Sequence, residues 1–241
     1  MNTIKNILTR VTGYWFHKKS NLPVGADLFV DLHSKINYPS LNVLFDVGAN
    51  TGQTRNWFRY HLPKATIYSF EPVQSTFEQL KKNAKGDSNC ILVNEALGDE
   101  TGTKTIRLFE GDMTVLNSLR DDVMNNAAGA REETITINTL DAYCKAHHIE
   151  KIDLLKIDTE GFEINVLRGA SKMLQSGRIS FVYCETGFQN TNQRNTYLPV
   201  LTEYLAASDY YFFGLYQVDY HDWKRGNGLG NALFVHRSVF P

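Results

Sequence analysis

Val43-Leu-Phe-Asp-Val-Gly-Ala-Asn-Thr-Gly52 is the stretch whose reading decides the fold. Val43, Leu44, Phe45 and Val47 form a short apolar run, as a central strand buried on both faces requires. Gly48 and Gly52 permit a tight turn and a close ligand approach, and Asn50 is the non-glycine type that best tolerates a left-handed backbone. A strand that ends in a Gly-x-Asn-x-Gly turn and enters a helix presents backbone N–H groups to a polar ligand. Two structural glycines without a ligand are the plainer alternative. A dinucleotide fingerprint would need glycine at positions 50 and 53, where this chain has Asn50 and Gln53. That argues against a nicotinamide-dependent dehydrogenase.

Two further segments extend the pattern. Ala65-Thr-Ile-Tyr-Ser-Phe70 reads as a second strand with Glu71-Pro72 at its end. A carboxylate at that distance from the glycine turn can accept two hydrogen bonds from a ribose diol, and Pro72 suits the first turn of a helix from Val73 to Ala84. Lys151 to Asp158 is again strand-like. Thr159 to Ala170 turns into a helix, with Phe162, Val166, Leu167, Ala170 and Leu174 on its buried face. Lys156, Asp158, Glu160 and Glu163 therefore crowd the carboxyl end of a strand, where open α/β sheets bind ligands. Stabilisation of a helix start explains Glu163 as well as catalysis does; it explains Lys156 poorly, because a cation gains nothing there.

Phe45-Asp-Val-Gly-Ala-Asn-Thr-Gly52, Phe70-Glu-Pro72, Asn94-Glu-Ala-Leu-Gly98, Thr139-Leu-Asp141 and Leu155-Lys-Ile-Asp-Thr-Glu-Gly-Phe-Glu163 occur in that order. Over roughly residues 41 to 236 the chain resembles the FkbM family of S-adenosylmethionine-dependent methyltransferases. The resemblance implies a Rossmann-like class I α/β fold: a mostly parallel seven-stranded sheet, its last strand antiparallel, with helices on both faces. It implies S-adenosylmethionine across the carboxyl ends of the first two strands. Gly48, Asn50 and Gly52 would line its methionine and ribose portions, with Asp46 reaching the methionine amino group through the turn. Glu71 would hold the ribose. Pro72 and Val73, together with Ala96 and Leu97 at the end of the third strand, would neighbour the adenine. The expected reaction is O-methylation of a hydroxyl on a sugar, glycan precursor or natural product. Asp158 is the first candidate for general base and Glu160 the second, with Lys156 orienting the carboxylate. Glu185, ending the next strand, is a further catalytic candidate and could share a Mg²⁺ ion with Asp158. N-methylation of a sugar or peptide amine is a rival. So is a non-catalytic nucleoside-binding module, against which the intact Lys156, Asp158 and Glu160 set argues.

Outward from these motifs, residues 1–40 read as a helical extension and 41–241 as the methyltransferase domain. Ile4, Ile7, Leu8, Val11 and Trp15 repeat at helical spacing near Lys5, Arg10, Lys18 and Lys19. The first expectation is a helix docked on the domain or on a second subunit; the alternative is a membrane surface. Thr103–Phe109 and Glu133–Ile137 predict an added hairpin around a polar insertion, Glu110 to Arg131, near the active face. A strand over Ser180–Cys184, a helix over Asn195–Ala207, and a closing antiparallel pair, Tyr210–Tyr216 with Ala232–His236, complete the pattern. Gly226 to Asn231 reads as a turn. Tyr220, His221 and Trp223 lie in an aromatic, polar loop of the kind that holds sugars, or in an ordinary tyrosine-rich hairpin.

Global properties fit a cytoplasmic enzyme. The chain has 241 residues, a formal net charge of −1 and no block of like charges, so nothing suggests electrostatic binding of nucleic acid. Cys90, Cys144 and Cys184 lack metal or redox spacing and read as reduced thiols. No apolar run approaches membrane-spanning length. A small-molecule or glycan acceptor is the expected partner, with homo-oligomerisation open.

Overall fold

The computed structural model describes residues 2–14, 17–38, 40–108, 131–190, 195–222, 224 and 227–240. The polar insertion expected at 110–131 lies almost wholly outside the described residues. A seven-stranded sheet is built from β1 (Val43–Val47), β2 (Thr66–Phe70), β3 (Cys90–Val93), β7 (Ile152–Ile157), β8 (Ile179–Gly187), β9 (Tyr210–Asp222) and β10 (Asn227–His236). Its order is β3-β2-β1-β7-β8-β10-β9. The pairs β1–β2, β1–β7, β2–β3 and β7–β8 are parallel, and β10 runs antiparallel to both its neighbours. A smaller sheet joins β4 (Ala96–Leu97), β5 (Gly102–Leu108) and β6 (Arg131–Asn138), with β5–β6 as the expected antiparallel pair.

The side-chain period of two explains the layering. Phe45, Val47, Leu155, Ile157, Val182 and Cys184 pack in one buried cluster. Their chain neighbours Leu44, Leu154, Phe181 and Tyr183 pack in another. Helices supply the first cluster with Leu140, Tyr143, Val166, Leu167, Leu174, Leu201 and Leu205 from α5 (Leu140–Ala146), α6 (Glu163–Gly169), α7 (Ser171–Gln175) and α8 (Leu198–Ala206). The second cluster receives Phe58 from α3 (Gln53–His61), and Leu28 and Leu32 from α2 (Leu28–Ser34), followed by Ile36 and Leu41. Packing therefore does not separate residues 28–41 from the sheet. Buried Asp31 accepts from Gly25 N (2.9 Å) and Tyr216 Oη (2.8 Å), tying α2 to β9.

Several sequence expectations shift. Ala96 and Leu97 do not end the third strand: β3 stops at Val93, and these two residues pair with Ile137 and Asn138 in the small sheet. The helix after Pro72 is α4 (Gln74–Asn83), so the proline precedes it instead of lying in its first turn. α8 starts at Leu198 and not at Asn195, because Asn195 and Thr196 are engaged elsewhere. Asn227 to Asn231 is strand, not turn: β9 and β10 both run on well past the expected pair. The first helix, α1 (Asn2–Thr12), is not docked by its apolar residues on the domain; Ile4, Ile7, Leu8 and Val11 are all exposed. Among the described residues no helix is long and apolar enough to cross a membrane.

Candidate active site

The carboxyl ends of β1, β2 and β7 open into a cleft of about 330 Å³. Its floor is the turn after β1. Gly48 (φ +80°), Asn50 (φ +47°) and Gly52 (φ +99°) all take the left-handed conformation that the glycine–asparagine pattern predicts. The turn is not an open N–H cradle, however. Gly48 N and Ala49 N donate to the Phe70 carbonyl (3.1 and 2.9 Å), Asn50 N to Glu71 Oε2 (3.0 Å) and Gly52 N to the Ala49 carbonyl (2.9 Å). Nor does Gly48 chiefly make room for a ligand. A Cβ there would lie 1.8 Å from the Asp158 carbonyl oxygen, so the missing side chain lets the turn touch the end of β7. Gly52 likewise faces Leu80, 3.0 Å from where its Cβ would be.

Glu71 stands at the edge of this turn and lines the cleft. Oε2 accepts from Asn50 N, and Oε1 from Val73 N at 2.9 Å. Each oxygen keeps acceptor capacity for another donor. Burial pushes its pKa up to about 7, against the pull of the two backbone donors. Gly48, Asn50, Pro72, Val73, Ala96 and Leu97 also line the cleft, as the resemblance implies. Asp46 and Gly52 do not. Asp46 is fully buried behind the turn, and neither carboxylate oxygen has a hydrogen-bond partner among the described residues. Burial raises its pKa to about 7, although Lys156, its register partner on β7, pulls the other way.

The opposite wall carries Asp158, Glu160 and Glu185. One carboxylate oxygen from each lies within 4.8 Å of the other two. Lys156 is buried behind them and donates to Asp158 Oδ2 at 3.0 Å. Burial opposes its charge, yet Asp158, Glu185 and Asp46 together hold its pKa above the ordinary lysine value. Burial, then Asp158, pushes Glu185 up to about 9. Such a group keeps its proton at neutral pH, so the cluster can share a proton; its oxygens are also the hard donors that Mg²⁺ prefers.

Glu163 fixes this wall. Its Oε1 accepts from Thr159 N, Thr159 Oγ1 and Gly161 N at 2.9 to 3.1 Å. Its Oε2 accepts from Thr196 N (3.0 Å) and Thr196 Oγ1 (2.7 Å). The segment that carries Glu160 and the segment that carries Asn195 are thus joined, and Asn195 Nδ2 donates to Glu185. Glu163 serves two loops, beyond the helix-start role expected for it.

Of the expected acceptor residues, Tyr220 is the one whose side chain is described. Tyr220 is exposed and does not line the cleft; its ring centroid is 5.8 Å from that of Phe188. The side chain of His221, and all of Trp223, fall outside the described residues. Sequence reasoning missed Gln53, Thr54, Thr76 and Glu95 on the cleft. Glu95 follows the end of β3, a position that the strand-end rule singles out.

A model of the FkbM methyltransferase domain matches residues 46–212. The chain belongs to the FkbM methyltransferase family. Among FkbM-related proteins, the hexuronic acid methyltransferase AglP of Haloferax volcanii is 29% identical over 147 residues, covering 60% of this chain and 55% of that protein. The 2-O-methyltransferase NoeI of Sinorhizobium fredii is 25% identical over 175 residues, covering 68% and 71%. The chain thus spans only about half the length of AglP. Among solved structures, an rRNA methylase from Streptococcus thermophilus matches 85% of this chain and 95% of its own, at 10% identity and a TM-score of 0.46.

Proposed function

We propose that this protein transfers the methyl group of S-adenosylmethionine to a hydroxyl oxygen on a sugar, glycan precursor or natural product. The observation that carries the reading is one cleft with two unlike walls: the β1 turn with Glu71 on one side, and Asp158, Glu160 and Glu185 on the other. The occupied N–H groups of the turn suit a nucleoside cofactor without phosphates. A dinucleotide would need those donors for its pyrophosphate. Glu71 has acceptor capacity left for a ribose diol, and Val73, Ala96, Leu97 and Ile106 offer an apolar setting for adenine. The cofactor would supply an activated sulfonium methyl.

In the transfer, the acceptor oxygen forms a bond to the methyl carbon while the carbon–sulfur bond breaks. S-adenosylhomocysteine leaves, and the hydroxyl proton passes to a carboxylate. Alignment of oxygen and methyl supplies much of the rate. Asp158 is the base in this reading, while burial favours the protonated form of Glu185. Lys156 orients Asp158 through its 3.0 Å bond. Glu160 is the neighbouring carboxylate that the turn brings within reach. The likeness to AglP, a hexuronic acid methyltransferase, and to NoeI, a 2-O-methyltransferase, supports a sugar hydroxyl as acceptor. Asp158 and Glu185 are also the pair that would hold Mg²⁺ if the transfer uses one, and loss of turnover in EDTA with recovery on Mg²⁺ would establish it.

Calorimetric titration with S-adenosylmethionine, S-adenosylhomocysteine and NAD tests the cofactor. Binding of the first two and not the third is expected; NAD binding alone overturns the reading. A tritiated-methyl transfer screen over uronic acids and other sugars then tests the acceptor. Asp158→Asn should lower turnover about 10²- to 10⁴-fold with cofactor affinity unchanged, and full turnover would remove Asp158 from the chemistry.

A further inference from the structure

The exposed α1 carries information that the methyl-transfer reading does not use. Ile4, Ile7, Leu8 and Val11 are 43 to 79% exposed. At 3.6 residues per turn these four fall within an arc of about 100°, and Lys5 and Arg10 stand about 60° beyond its two edges. Asn6 and Thr9 lie on the opposite side. Tyr14 follows, also exposed, and the sequence continues Trp15-Phe16-His17-Lys18-Lys19. The first 26 residues hold four basic side chains and no acidic one, whereas the whole chain has a net charge of −1. A basic amphipathic segment is therefore attached to an acidic body.

An isolated helix of this length is marginal in water, so its apolar arc needs a surface to cover it. The described residues of the domain do not provide one. A second copy would suit it badly: two such helices paired over the arc would set Lys5 and Arg10 of one beside the same cations of the other. An anionic bilayer meets each feature. The apolar arc sinks to the acyl boundary, the flanking cations reach lipid phosphates, and the Tyr14 ring settles at headgroup depth. We propose that α1 is an in-plane anchor that docks this protein on an anionic lipid surface, independently of what its cleft methylates.

Sedimentation of the full chain with vesicles tests this. It should pellet with mixed phosphatidylglycerol–phosphatidylcholine vesicles, remain in solution with pure phosphatidylcholine, and be released as salt is raised. Combined Lys5→Glu and Arg10→Glu should weaken binding at least about thirtyfold. Ile7→Asp should abolish it. Both variants should keep the wild-type circular dichroism and thermal midpoint, because the substituted residues lie outside the buried clusters. Failure to bind phosphatidylglycerol vesicles overturns the proposal, as does binding that ignores both sets of substitutions. A dimer in light scattering that Ile7→Asp dissolves would assign the arc to a second copy instead.

Discussion

At the residue scale, the site turns on carboxyl groups whose protonation is set by where they sit. Asp46 has a pKa of about 7 in the folded chain against 3.8 for the free group. Between those values the folded state holds a proton that the unfolded state has lost. The stability that goes with this proton is complete below the lower value and declines as pH climbs through the upper one. Asparagine keeps the shape and cannot ionise. Asp46→Asn should therefore gain on wild type as pH rises from about 5 to about 8, by up to about 3 kcal/mol in urea unfolding; a gap that ignores pH would refute the buried-acid assignment. Glu71 has the same sign of shift but a different task. Glu71→Ala should weaken S-adenosylmethionine binding about ten- to hundredfold by calorimetry, since it removes acceptors for the ribose and the anchor of Asn50 N. Unchanged affinity would end the ribose assignment. Glu71 was legible in the sequence because it follows a strand at a fixed distance from the turn. The isolation of Asp46 was not, because burial without a partner is a property of the packed chain.

At the element scale, the central strands β1, β2 and β7 were readable, and the ends of β3, β9 and β10 and the loop partners were not. The period-two apolar runs of β1 and β7 mark their own faces, and the left-handed turn needs only glycine and asparagine at given positions. By contrast, Glu163 and Thr196 are 33 residues apart, and no local rule joins them. That bond also explains why α8 begins late: the residues expected to start it are committed to Glu163 and Glu185. Glu163→Gln replaces one acceptor oxygen with a donor facing other donors. It should cost about 3 kcal/mol in thermal or urea unfolding. It should also lower turnover more than cofactor affinity, because the wall with Glu160 and Asn195 loosens while the β1 turn does not. Equal losses in both would show Glu163 to be structural only. The expectation that α1 docks on the domain failed for a related reason: amphipathic spacing says that a face needs covering and is silent about what covers it.

At the scale of the whole molecule, the seven-stranded sheet with its last strand antiparallel is what the family resemblance implied, and the sheet has that form. If the cleft binds its cofactor only when folded, mass action must stabilise the entire domain. S-adenosylmethionine at one hundred times its dissociation constant should add about 2.7 kcal/mol and raise the melting midpoint by about 5 to 10 °C. NAD should leave the midpoint where it was. One contact gives this architecture a further property. The Asp158 carbonyl occupies the space that a side chain at Gly48 would need, so the β1 turn and the end of β7 meet main chain to main chain. Under the proposed function, the span between methyl donor and base would then be a dimension of the backbone, like the gauge of a rail track. Side chains around the acceptor can be exchanged freely in a search for new substrates without altering that gauge. A library that randomises position 48 should return glycine alone.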